Sequence, residues 1–415
     1  MDKDFRHVTR CRICRSTELY RFLDLGFMPV PNGFRKKEEL GKKEKKYELC
    51  CCFCETCGHV QLSGVVRPQL MFTNYVYIPS TSKVMMNNFS RLAHQAYVAK
   101  SLDEFSLVLD IGSNDGSLLT FFKAYGSKVV GIDPAENISK VAELNGIPTE
   151  IGLFNLASAN KVKKKYGAAD VITATNVIAH IDDLYGVFRG VDTLLKKDGL
   201  FITEFPYLLD LIDKLEFDTI YHEHLSYFAI SPWKFLVEKF GFEICDLERL
   251  QIHGGSIRLT HRRKSSHKNK ANRIVDYFIN LEEERKLNER QTYDLFSQKV
   301  IGLKKSLTEL IDGLKKQGKR IVGYGAAAKG NVLTNLFNIG RDKLDYIVDS
   351  TPYKLGLYTP GMNIPIFAEN RLLKDMPDYA LILAWNFANE IMEKQKAYKA
   401  KGGKFIIPLP SVTII

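Results

Sequence analysis

No apolar run in the 415 residues approaches the roughly 20 that a membrane-spanning helix needs, and the opening MDKDFRHVTR holds no apolar core of the signal-peptide kind. A cytoplasmic protein with no membrane partner is expected. Cysteine nearly vanishes after position 60, where one of the eight remains. A disulfide scaffold in a cytosolic chain does not account for so one-sided a distribution. Aromatic residues are almost missing from the basic runs Arg35 to Lys46, Lys161 to Lys165 and Arg262 to Lys270, although the net charge is +11. Nucleic-acid surfaces interleave bases with stacking rings, so these runs read as solvated faces that tolerate a phosphate-bearing ligand, and no nucleic-acid partner is expected.

What is present is ordinary globular material, 45% hydrophobic and 26% charged, in a chain long enough for two or three domains. The crowded cysteines form two knuckles, Cys11-Arg-Ile-Cys14 and Cys54-Glu-Thr-Cys57, with Gly58 suited to the turn after the second. Each C-x2-C pair can place two thiolates on one tetrahedral Zn²⁺, and four thiolates close the coordination sphere, which makes the metal a structural staple. Cys50, Cys51, Cys52 and His59 compete as ligands for the second half of the site.

The middle of the chain repeats a strand, turn and helix pattern. Leu107 to Ile111 is a short apolar strand running into a glycine-bearing turn, with Asp110, Gly112, Asn114 and Gly116 in sequence, and Val129 to Asp133 is a second strand ending in an acid. Glycines at a strand's carboxyl edge let the backbone approach a ligand, and an acid ending the next strand can accept from a ribose diol. A dinucleotide site would show G-x-G-x-x-G. The D-x-G-x-x-x-G arrangement resembles instead the first motif of class I S-adenosylmethionine (SAM) methyltransferases, in which Asp133 would hold the ribose. Ala169 to Ile181, containing Asn176 and His180, and Gly199 to Pro206, containing Glu204, fit that family's fourth and fifth strands. Asn114 replaces the small residue many members have there.

Beyond this unit stands FDTIYHEHLSYF, residues 217–228, where Tyr221, His222, Glu223 and His224 bring a phenol, two imidazoles and a carboxylate together. Imidazole titrates near neutral pH unaided, which suits proton transfer. An extended backbone would put His222 and His224 on one face and Tyr221 and Glu223 on the other. Gln251 to Leu259 follows, a strand with a Gly254-Gly255 bulge beside His253, then a charged helical span from about Lys270 to Lys316. Arg320 to Asn331 opens a second strand, glycine turn and helix unit, with Gly325 in the turn and Lys329 near a helix start able to meet an anion. Further strands are expected at Asp345 to Asp349, Tyr379 to Asn386 and Lys404 to Pro408. A nicotinamide-binding fold is the rival reading of this part.

Taken together, YHEHLSY at 221–227, HGGS at 253–256, GYGAAAKGN at 323–331 and VDSTPYKLGLYTPGMNIPI at 348–366 resemble the C-methyltransferases that act on nucleotide-linked 4-keto deoxyhexoses, over essentially the whole chain. The resemblance implies an α/β protein of three parts: a four-cysteine zinc module (1–70), a class I SAM methyltransferase domain (71–245) and a carboxyl-terminal Rossmann-like domain (246–415). It implies His224 as general base, with Tyr221, Glu223, His180 and Tyr75 in the same active site and Tyr77 as the alternative to Tyr75. It implies that Asp110, Gly112, Asn114, Gly116, Asp133 and Asn176 hold SAM, and that His222, His253, Gly325, Lys329, Asn331 and Asp349 meet a thymidine-type nucleotide-sugar. A monomer methylating C3, with C5 the other acidic carbon, is the expectation. The rivals are a zinc-ribbon nucleic-acid binder or RNA methyltransferase, and a relative that uses the enolate without a methyl donor.

Overall fold

The computed structural model describes residues 3–72, 79–264 and 273–415. Tyr75 and Tyr77 lie outside the described residues.

Alternating apolar residues between Leu19 and Leu62 build the first sheet, whose strands run in the order Ser226–Tyr227, Val60–Leu62, Tyr47–Cys54, Leu19–Met28. Its outer strand is supplied from the middle of the chain. Ser226 pairs with Gln61 and Tyr227 with Val60, antiparallel. The stretch holding the four titratable residues is therefore mounted on the cysteine-bearing module. Phe5–His7 and Gly64–Val66 form a separate two-stranded ribbon.

Continuous apolar runs, buried on both faces, make the central strands of a seven-stranded sheet. Its order is Phe242–Leu250, Ser256–Arg263, Leu195–Pro206, Ala169–Thr175, Leu107–Ile111, Lys128–Asp133, Thr149–Ile151. The strands from Leu195–Pro206 to Thr149–Ile151 are mutually parallel, and Ser256–Arg263 is antiparallel to both its neighbours. The order reverses between Leu107–Ile111 and Ala169–Thr175, the switch point where open α/β sheets bind ligands at their carboxyl edge. A domain boundary at 245 would cut this sheet, because the hairpin Phe242–Leu250 to Ser256–Arg263 completes it. The helix Lys83–Lys100 begins where the Ser82 hydroxyl accepts the Met85 N–H and ends at Ser101 in the left-handed conformation.

The third sheet has the order Ile366–Ala368, Ile347–Asp349, Ile321–Tyr324, Tyr379–Ile382, Lys404–Ile407, Thr413–Ile414, parallel except for the last strand. The strand expected to reach Asn386 stops at Ile382, and Trp385–Phe387 turns as a single 3₁₀ turn. The helix Arg290–Lys316 buries Tyr293, Phe296, Val300, Leu303, Leu307, Ile311 and Leu314, a stripe at three- and four-residue spacing. Tyr293 at its start stacks on Phe53 of the first sheet at 4.5 Å, so this helix links the cysteine module to the third sheet.

Candidate active site

The four knuckle cysteines converge. Their Sγ atoms all lie within 4.8 Å of one another, with Cys11 to Cys57 at 3.6 Å and Cys14 to Cys54 at 3.5 Å. A zinc–sulfur bond of about 2.3 Å gives tetrahedral edges of about 3.8 Å, so the donor set fits one Zn²⁺. The rival donors face elsewhere. His59 is buried with Nε2 3.2 Å from the Ser226 hydroxyl, and among the described residues Cys50, Cys51 and Cys52 stand outside the convergent set of Cys11, Cys14, Cys54 and Cys57.

At the switch point the turn after Leu107–Ile111 is locked to the next strand. The Asn114 N–H donates to Asp133 Oδ2 at 3.0 Å and the Ala135 N–H to Oδ1 at 2.8 Å. Burial raises the Asp133 pKa, and burial with the nearby Asp133 charge pushes Asp110 to about 7 against the Thr173 hydroxyl bond at 2.6 Å. Gly112, at φ 68, has no room for a side chain, since a Cβ would come within 2.6 Å of Val177. Gly116 caps the following helix. Asn176, at φ 55, donates its N–H to the Glu204 carbonyl at 2.7 Å, and its Oδ1 is buried with no hydrogen-bond partner among the described residues. An open acceptor thus stands beside a close-approach turn at the switch point.

Glu204 itself is structural. It is fully buried and accepts from Asn88 Nδ2 and from Arg258 Nε and Nη2, the last at 2.7 Å. Arg258 is therefore a buried ion-pair partner and not surface charge.

The central stretch is not extended. Phe217–Thr219 is a 3₁₀ turn, and the His224 N–H closes a further turn on the Tyr221 carbonyl at 2.9 Å. This turn undoes the expected alternation. The His224 and Tyr221 rings meet at 4.0 Å between centroids, tilted by 32°, and His180 meets His224 edge-on at 4.9 Å. His222, 1% exposed, instead packs on Tyr47 with Nε2 3.3 Å from its carbonyl oxygen. Glu223, 2% exposed, accepts from Asn32 Nδ2 at 2.8 Å, and burial pushes its pKa to about 7. Both residues thus tie the turn to the cysteine module. The backbone ties it again through Leu62 N–H to Leu225 O at 3.0 Å, while Leu225 N–H to Ala179 O at 2.7 Å ties it to the turn that carries His180.

The surroundings of His224 fix its tautomer and lower its pKa. Nδ1 lies 2.8 Å from the Thr219 carbonyl, which can only accept, so the proton sits on Nδ1 and the lone pair on Nε2. Desolvation first, then the nearby His180, Lys329 and His253, hold its pKa well below the ordinary value, against the raising effect of the Thr219 bond. His180, packed against Phe72 at 5.7 Å, is lowered to about 4 by desolvation.

From the other side come His253 and Lys329. His253 has φ 52, and desolvation followed by the Lys329 charge lowers its pKa to about 4. The Gly254 that follows lies so close to Glu216 that a Cβ would meet its Oε1 at 2.2 Å, which explains glycine in this turn. Lys329 Nζ is 3.7 Å from Glu216 Oε2 and 5.0 Å from the centre of the Trp385 ring, whose Nε1–H donates to Asp218 Oδ2 at 2.6 Å. Glu216, Asp218 and Trp385 were not among the sequence candidates. The signal for the carboxylates was available, two acids at alternate positions directly before Tyr221.

The remaining candidates divide. Gly325 ends the strand Ile321–Tyr324, and Asp349 accepts the Ala326 and Thr351 N–H groups at 2.7 Å each, a latch of the same form as Asp133 makes. Asn331 is buried, with its amide donating to the Pro31 carbonyl at 2.6 Å, so it joins the third sheet's first helix to the cysteine module.

A donor cradle at the switch point, a four-thiolate staple and an added α/β unit facing a histidine-rich turn define the class: a SAM-dependent C-methyltransferase with an amino-terminal zinc-binding module. Family descriptions agree along the chain, with "Putative zinc binding domain" matching residues 11–72, "Methyltransferase domain" 83–247 and "C-methyltransferase C-terminal domain" 251–410. The C-methyltransferase NovU of Streptomyces niveus is 31% identical over 410 residues, covering 99% of this chain and 97% of that protein. The chain belongs to the C-methyltransferase family that includes NovU. A ubiquinone biosynthesis O-methyltransferase of Chromobacterium violaceum is 32% identical over 94 residues, 22% of this chain and 40% of that one. Among solved structures, the SAM-bound magnesium protoporphyrin IX methyltransferase of Synechocystis overlays with a TM-score of 0.34 at 14% identity, over 43% of this chain and 79% of that one. Among the described residues no helix is long and apolar enough to cross a membrane.

Proposed function

We propose that the substrate is a nucleotide-linked 4-keto deoxyhexose, methylated at C3 through an enolate, with His224 as the base. The observation that carries this is the fixed tautomer of His224: Nδ1 bonded to the Thr219 carbonyl, Nε2 left with its lone pair, and a pKa far enough down that the imidazole is neutral at physiological pH. A ketone acidifies the neighbouring C–H, and a neutral, part-buried imidazole can take that proton. His224 Nε2 receives it as the C–H electron pair becomes the C=C bond and the carbonyl π pair moves onto oxygen. Tyr221 and His180, in ring contact with His224, line the position of that carbon. SAM supplies an electrophilic methyl group and departs as a neutral thioether. Asp110, Gly112, Asn114, Gly116, Asp133 and Asn176 would hold it, and Cys11, Cys14, Cys54 and Cys57 would hold the zinc.

In this reading His253, Gly325 and Asp349 face the nucleotide-sugar, while His222 and Asn331, engaged with Tyr47 and Pro31, support the site from behind. Thymidine diphosphate as the nucleotide, the cytoplasm as the compartment and a monomer as the working unit complete it. The test is proton exchange with S-adenosylhomocysteine and a thymidine diphosphate 4-keto deoxyhexose in deuterated water. Wild type should wash deuterium into C3, and His224→Asn should lower that rate by about 10² to 10⁴ while both ligands still bind. Exchange at the wild-type rate in the variant would place the base elsewhere, and exchange confined to C5 would move the methylated carbon.

A further inference from the structure

Buried beside His224 is a charged group that proton abstraction alone leaves unexplained. Lys329 Nζ is buried and no described residue accepts a hydrogen bond from it. Glu216 Oε1 and Asp218 Oδ1 are likewise buried without a donor among the described residues. An ammonium carries three N–H donors, and burying it with none of them hydrogen-bonded is unfavourable unless a ligand completes the shell. Lys329 is held in place from two sides: the Glu216 carboxylate at 3.7 Å and the Trp385 face at 5.0 Å, with Trp385 fixed in turn by Asp218. It is also close enough to His224 and His253 to lower the pKa of each.

Two ligand oxygens could fill those donors. A diphosphate is the obvious anion for a lysine near a helix start, but it would have to sit next to two buried acids, Glu216, which burial pushes to about 7, and Asp218, which burial also raises, and it would repel whatever charge they carry and drive them further toward protonation. A carbonyl oxygen is neutral when it binds and becomes negative only as the reaction proceeds. A cation whose charge is partly balanced at rest and whose donors point at that oxygen favours the transition state over the ground state.

We propose that Lys329 is a catalytic residue: its ammonium donates to the substrate carbonyl oxygen and carries the charge that develops there when His224 Nε2 removes the α-proton, with Glu216 and the Asp218–Trp385 pair as the groups that position it. The inference rests on the enolate reading above. No further reactant is involved: the proton goes to His224, the electron pair to the carbonyl oxygen, and Lys329 keeps its own proton.

The experiment is the same deuterium exchange, run on Lys329→Met, Lys329→Gln and Lys329→Arg beside wild type, with thymidine diphosphate and S-adenosylhomocysteine affinities measured by calorimetry on each. The methionine and glutamine variants should lose about 10² or more in exchange at saturating sugar, bind thymidine diphosphate within about twofold of wild type, and bind S-adenosylhomocysteine as folded protein does. Lys329→Arg, which retains a charged donor, should recover part of the loss. Wild-type exchange in either neutral variant overturns the proposal. So does a tenfold loss of thymidine diphosphate affinity with exchange unchanged at saturation, which would make Lys329 a phosphate ligand. Absence of exchange in wild type itself would instead overturn the enolate reading, so the two failures are distinct.

Discussion

Replacing Arg258 by methionine should destabilise the methyltransferase sheet and weaken its hold on the methyl donor together. The guanidinium gives Nε and Nη2 to Glu204 at 3.0 and 2.7 Å, Nη2 to Asn88 Oδ1 at 2.8 Å and Nη1 to Gln95 Oε1 at 2.9 Å. Glu204, 0% exposed, would be left with the Asn88 amide at 3.0 Å and a long contact from Asn176 at 3.4 Å. Breaking a buried pair by removing one partner costs about 3–5 kcal/mol, because the survivor is an uncompensated charge. At about 2–4 °C per kcal/mol for a unit of this size, the transition in a calorimetric scan should fall by about 6–20 °C. Glu204 is also the backbone and side-chain partner of Asn176, so S-adenosylhomocysteine affinity should drop with it. The decisive control is the double variant Glu204→Gln/Arg258→Met, in which no buried charge remains. It should melt above Arg258→Met alone by an amount worth about 2 kcal/mol or more. Equal melting of the single and double variants would refute the buried-charge argument and leave only lost packing.

Two further outcomes follow from the same geometry. Changing Cys11 and Cys14 to serine should remove stoichiometric zinc on elemental analysis and also slow deuterium exchange, because Ser226–Tyr227, two residues past His224, is a strand of the zinc module's sheet. Retention of zinc by the double serine variant would show that the knuckles are not its site. In ¹⁵N spectra of the histidine rings, His224 should remain the neutral Nδ1-protonated tautomer as pH falls from 8 to 6.5, since its pKa is depressed and the proton is fixed by Thr219. A protonation midpoint at or above about 6.5 would refute that electrostatic picture.

Short-range patterns carried much of this protein in its sequence. Two C-x2-C knuckles, a strand that ends in Asp110 before a glycine turn, the acid Asp133 closing the next strand, and the Gly254-Gly255 turn are each set by backbone geometry over a few residues, so spacing alone exposes them. The resemblance built on such motifs gave the family and the three-part α/β organisation. The tertiary structure decided how those parts share one site. His222 meets Tyr47 across 175 positions, Glu223 meets Asn32 across 191 and Asn331 meets Pro31 across 300, and no local periodicity encodes such pairings. The extended backbone assumed for residues 221–224 failed for the same reason: the strand pairing of Ser226 with Gln61 and the Leu225 bond to Ala179 force a turn, which separates His224 from His222. Burial, too, exists only in the folded chain. For Lys329 and Arg258 the sequence leaves surface charge and a ligand role equally open, and only packing against Glu216 and Glu204 turned one into an open donor beside His224 and the other into a closed ion pair.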